Sequence, residues 1–209
     1  MIPVTSKGAP IKLKGLLKDV RACTICAAHL PHGVRPVLQV DAAARILVVG
    51  QAPGRKVHES GVPFDDASGE RLRLWMGVDR QVFYDPKVIA LVPMGFCYPG
   101  TGKSGDLPPR RECAPQWRGP LLAAMPNIEL TLVIGQYAMN WHLKPAKETN
   151  LTVIVKNWRS YGPAIVPLPH PSPRNNIWLK VNPWFADETV PALQARVKTL
   201  LQTLANLPG

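Results

Sequence analysis

Four short stretches of the chain are almost continuously apolar and end in or beside glycine or proline: residues 45–50 (RILVVG), 88–93 (VIALVP), 130–135 (LTLVIG) and 164–168 (AIVPL). A strand with one wet face alternates polar and apolar side chains, so unbroken runs of this length fit strands buried on both faces. Between and after them, residues 70–76, 112–125, 136–143 and 190–207 read as helices. This alternation predicts an α/β fold, a three-layer α/β/α arrangement around a central, mainly parallel sheet of four strands.

The 23 prolines sharpen that picture, because they gather behind the strands, above all in residues 93–109 and 163–173. Such loops are stiff and preformed. In open parallel sheets the ligand crevice lies beyond the carboxyl ends of the strands, which places the expected site in these proline- and glycine-rich segments. Residues 100–106 read as a mobile stretch, and no internal repeat or low-complexity linker is present. At 209 residues the chain is expected to form a single domain over 1–209, large enough to bury its own core.

Charge adds a partner class. Lys and Arg number 25 against 14 Asp and Glu, a formal net charge of +11, which points to a polyanion and first of all to nucleic acid. The cations are spread over residues 12–21, 71–80, 110–118 and 144–156, so the fold would have to assemble the basic face. No apolar run reaches the roughly 18 to 20 residues of a membrane span, and residues 1–20 carry no export pattern. The expectation is a cytoplasmic monomer that meets no membrane.

The chain has four cysteines, Cys23-x2-Cys26 and then Cys97-x15-Cys113. A reducing compartment disfavours disulfides, and four soft thiolates suit an iron-sulfur cluster or a zinc ion. Either would tie residues 12–26 to the loop between Cys97 and Cys113.

Three further motifs stand at strand ends. Gly50-Gln51-Ala52-Pro53-Gly54 follows the first strand, residues 61–69 (GVPFDDASG) come soon after, and His170-Pro171-Ser172-Pro173 follows the last. In this order they resemble the uracil-DNA glycosylase superfamily, and the cysteine spacing resembles its iron-sulfur branch, often called family four. The resemblance covers about residues 23–185. It implies a [4Fe-4S] cluster on Cys23, Cys26, Cys97 and Cys113, with zinc as the alternative, and DNA containing a damaged base as the partner.

The resemblance also assigns roles. Phe64 would stack on a flipped base, His170 would donate a hydrogen bond to the base carbonyl as negative charge develops, and Ser172 would contact a backbone phosphate. Arg174 stands where relatives often carry an apolar wedge, and Asn175 and Asn176 would add phosphate contacts. Gly50, Ala52, Pro53 and Gly54 would line the base pocket, with the Gln51 side chain aimed into it.

Two departures qualify the match. Active relatives of the iron-sulfur branch carry a glutamate where Gln51 stands, and others an aspartate or asparagine where Ala52 stands, so the carboxylate that helps an oxocarbenium-like sugar is missing from its usual place. Asp66 is the expected substitute, with Asp65, Glu59 and His58 as competitors, and His170, Asp66 and Gln51 form the expected catalytic set. Pro93 occupies the position of an asparagine that reads uracil in many relatives. The expected activity is monofunctional hydrolysis, releasing uracil or another deaminated base; the competing reading is a binding module for damaged or single-stranded DNA that has lost catalysis. Residues 99–104 (PGTGKS) imitate a nucleotide-triphosphate loop but lack its first glycine and its following helix, so no nucleotide triphosphate is expected.

Overall fold

The computed structural model describes residues 13–103, 105–146 and 149–206. The start of the basic N-terminal segment (1–12) and the predicted last helical residue, Leu207, lie outside them. Helix α1 (Leu13–Arg21) leads to strand β1 (Ile46–Val49), whose four residues are all buried. Helices α2 (Arg55–Ser60), α3 (Ala67–Met76) and α4 (Arg80–Phe83) carry the chain to β2 (Ile89–Leu91). A two-stranded hairpin, β3 (Thr101–Gly102) with β4 (Gly105–Asp106), precedes α5 (Cys113–Ala123) and β5 (Leu130–Ile134). Helices α6 (Gly135–His142) and α7 (Leu151–Lys156) return it to β6 (Ile165–Leu168). Helix α8 (Asn176–Val181), a π-turn over Phe185–Thr189 and α9 (Val190–Ala205) complete the described chain.

The four predicted strands form one all-parallel sheet in the order β2-β1-β5-β6, flanked by helices as a three-layer α/β/α fold requires. In register, Ile46 stands beside Ile89 and Leu130, and Val48 beside Leu91 and Leu132. These apolar ladders meet Leu72, Met76, Leu121, Met139 and Val155 from the helices. The open edge of β2 is covered where Gln39 and Leu91 exchange backbone hydrogen bonds at 2.9 and 2.8 Å. That pairing occupies one position of an edge on which another chain could dock.

Three expectations need correction. Helix α3 starts at Ala67 rather than residue 70, because the Asp66 side chain accepts the Gly69 N–H at 2.9 Å and so caps the helix earlier than its apolar positions imply. Residues 100–106, read as mobile, contain the β3–β4 hairpin. Arg118, counted with the basic face, is 1% exposed and belongs to the interior. No helix among the described residues is long and apolar enough to cross a membrane.

Candidate active site at the strand ends

Beyond β1 the chain turns through residues 50–54 into α2, with Gly54 as the N-cap. A side-chain carbon on Gly50 would sit 3.2 Å from Phe64 Cζ, so glycine is what admits the ring here. Phe64 itself has φ +55°, a left-handed conformation costing a non-glycine residue about 1 to 2 kcal/mol. Its neighbours hold it there. Tyr84 Oη donates to the Phe64 carbonyl at 3.2 Å, and Gly69 packs so closely on that carbonyl oxygen that any Cβ would overlap it. The ring lies edge-on to buried Phe83 at 6.1 Å, anchored on the core while it also lines the crevice.

After β6, the His170 loop is locked by its own hydrogen bonds. Ser172 donates its N–H to His170 Nδ1 at 3.2 Å, Asn175 Nδ2 donates to the His170 carbonyl at 2.8 Å, and Arg71 donates to the Ser172 carbonyl at 3.1 Å. Ser172 Oγ accepts the Arg174 N–H at 3.2 Å and caps the 3₁₀ turn Pro173–Asn175. With Nδ1 accepting, the proton of the neutral ring resides on Nε2. Burial pushes the His170 ionisation below the ordinary histidine range; Asp66 and Asp106 oppose that shift and Arg174 adds to it. The ring is thus a neutral donor at physiological pH.

Gly50, Gln51, Ala52, Pro53, Gly54, Phe64, Asp66, His170, Ser172, Arg174 and Asn175 all line one crevice of about 630 Å³, together with Pro93 and the exposed cations Arg55 and Lys56. The side chains differ in what they are free to do. Gln51 Nε2 donates to the Leu107 carbonyl at 3.2 Å, so its amide fastens the hairpin loop to the first turn. Asn175 is spent on the His170 carbonyl, and Ser172 on its turn.

The competing carboxylates separate equally clearly. Asp65 pairs with Arg80 at 2.8 Å, which holds its carboxyl below the usual range, and Glu59 pairs with Arg55 at 2.9 Å. His58 packs with His32 and Tyr98 instead of lining the crevice. The acidic residues that do line it are Asp66 and Asp106. Nothing in the sequence around Asp106 marks it as a site residue, since only the folding of β3–β4 brings it beside the first turn.

The four cysteines also converge. Cys23, Cys26, Cys97 and Cys113 line a second, mostly apolar cavity with Val20, Phe96 and Trp117. Trp117 Nε1 donates to Cys23 Sγ at 3.4 Å. Burial pushes the Cys97 thiol up to about 11 and Cys113 up to about 12. Among the described residues, no three His, Cys, Asp or Glu side chains are gathered closely enough to hold a single metal ion.

A parallel α/β sheet thus carries, at its strand ends, a strained aromatic ring and a buried neutral histidine in one cation-rimmed crevice. Residues 38–194 match the model of the Uracil DNA glycosylase superfamily, and the chain belongs to that superfamily. Its members are DNA glycosylases, hydrolases that act on DNA. The match takes in Cys97 and Cys113 but starts after Cys23 and Cys26.

Proposed function

We propose that the protein is a monofunctional DNA glycosylase that hydrolyses the N-glycosidic bond of uracil or another deaminated base flipped out of DNA. The observation that carries this reading is the His170 ring, held by Ser172 with its Nε2 proton available in the crevice that Phe64 lines. As the bond to the sugar lengthens, charge accumulates on the base carbonyl, and a fixed neutral donor stabilises it without reorganisation. Phe64 stacks on the base, and Asp66 supplies a fixed carboxylate for the cationic sugar. Arg174 and Lys56 serve the phosphates. An amine nucleophile is activated by burial, whereas Lys56 is exposed, in keeping with simple hydrolysis.

The four cysteines are proposed to hold a [4Fe-4S] cluster, with zinc as the alternative. Zinc takes thiolate sulfur at about 2.3 Å, which needs a tighter gathering than these side chains make. A shared cavity lined by all four thiols, one of them accepting from Trp117, suits the larger group. When bound, it supplies a cross-link between the segment after α1 and the loop carrying β3 and β4.

The test is strand cleavage after alkali on single- and double-stranded oligonucleotides containing uracil, hypoxanthine or xanthine. Abasic sites that disappear in His170→Ala support the glycosylase. The absence of a first-motif carboxylate favours the competing binding module, which predicts tight DNA binding and no base release on any substrate.

A further inference from the structure

Asp106 is the remaining carboxylate of the crevice. It lies at the end of β4, exposed, and its side chain enters none of the five ion pairs among the described residues. One carboxylate oxygen stands 3.4 Å from where a Cβ of Gly54 would be, so the group reaches the first turn itself. Two contacts fix the hairpin there. Gln51 donates to the Leu107 carbonyl, and Gly105, at φ +130°, lies so near Arg174 that a Cβ would be 2.8 Å from its Nη1. The residue in place of the usual first-motif acid therefore reaches out to the loop that bears another acid.

We propose that Asp106 is the general base of this site, positioning the attacking water and taking its proton, in place of the carboxylate missing at Gln51 and Ala52. The assignment rests on the glycosylase reading above. The water oxygen bonds to C1′ of the sugar while the C1′–N bond breaks. The bonding pair leaves on the base, whose carbonyl meets His170 Nε2–H, and the water proton passes to the Asp106 carboxylate. That proton then returns to the departing base, giving an abasic sugar and free base. Asp66 has one oxygen committed to the α3 cap and remains the fixed charge.

Single-turnover base release and DNA affinity should be measured for wild type, Asp106→Asn, Asp106→Glu and Asp66→Asn. Loss of a general base slows the reaction about 100-fold or more. The expectation for Asp106→Asn is that loss with DNA affinity unchanged or tighter, since a negative charge leaves a phosphate-facing rim, and partial recovery in Asp106→Glu. A merely structural role would weaken binding and lower the melting temperature as well. Asp106→Asn releasing base at the wild-type rate while wild type is active overturns the assignment and leaves the glycosylase standing. Wild type inactive on every substrate overturns both.

Discussion

Ser172 donates its backbone N–H to Nδ1 of His170, and that one contact decides which nitrogen of the neutral ring carries the proton. A loop that folds onto its own histidine has no need of a distant carboxylate to fix the tautomer.

Replacing His170 by alanine removes the donor while leaving the loop's other bonds in place. Base release is expected to fall about 100- to 1,000-fold, as for loss of one preorganised donor. Oligonucleotide affinity, measured by fluorescence anisotropy, should change little.

Gly69→Ala places a methyl group into the Phe64 carbonyl. Relief requires moving the strained turn or the start of α3, so destabilisation of about 2 kcal/mol or more is expected, read as a lowered melting temperature. Ser68→Ala, one residue earlier in the same helix, is the control for loss of helix packing.

Arg118 donates to the Val92 carbonyl at 2.9 Å, to the Pro93 carbonyl at 3.1 Å and to His142 Nε2 at 3.2 Å, and forms no ion pair with a carboxylate among the described residues. Burial draws its ionisation down to about 10, still well above neutral pH. Arg118→Met would orphan the carbonyls that lead from β2 to the crevice floor. Chemical denaturation should show a loss of about 3 kcal/mol.

The same pair sets the response to acid. Burial and the Arg118 charge draw His142 down to about 4, and burial draws His170 down as well. Below the ordinary histidine value near 6.5 the unfolded chain binds protons that the folded one refuses, so stability falls as pH drops. The loss should begin near pH 6.5 and, for His142, continue to about pH 4, amounting to up to about 3 kcal/mol from that group. Melting curves across this range, with His142→Gln flattening the decline, provide the check.

Protein purified without oxygen should contain four irons per chain and absorb broadly near about 400 nm. Cys97→Ser or Cys113→Ser should remove the absorbance and lower the melting temperature. Stoichiometric zinc with no such band would assign the site to the alternative ion.

What the sequence discloses follows from how locally each feature is determined. The sheet was legible because strands buried on both faces write themselves as unbroken apolar runs, and residues 46–49 are a direct case. Short helices α2, α4, α7 and α8 carry too few apolar repeats to declare themselves. Motif residues such as Phe64 and His170 were legible through resemblance, yet their constraints were not: the positive φ of Phe64 depends on Gly69 and Tyr84. Arg118 reads as one more surface cation until the fold buries it. Asp106 was invisible for the same reason, since a two-residue strand acquires its place only through contacts with Gln51 and Arg174.

The hairpin hangs between Cys97 and Cys113, so the cavity that gathers those thiols also sets the length of its leash. A loop pinned at both ends explores far less space than one hinged by backbone alone. Were the proposed cluster lost, the ends of the loop would be freed, and the Gln51–Leu107 hydrogen bond and the place of Asp106 beside the first turn would be the contacts exposed to that change. The cations on α2 and after β6 would stay in position. On the proposed glycosylase reading, such a protein would keep its phosphate contacts and lose base release.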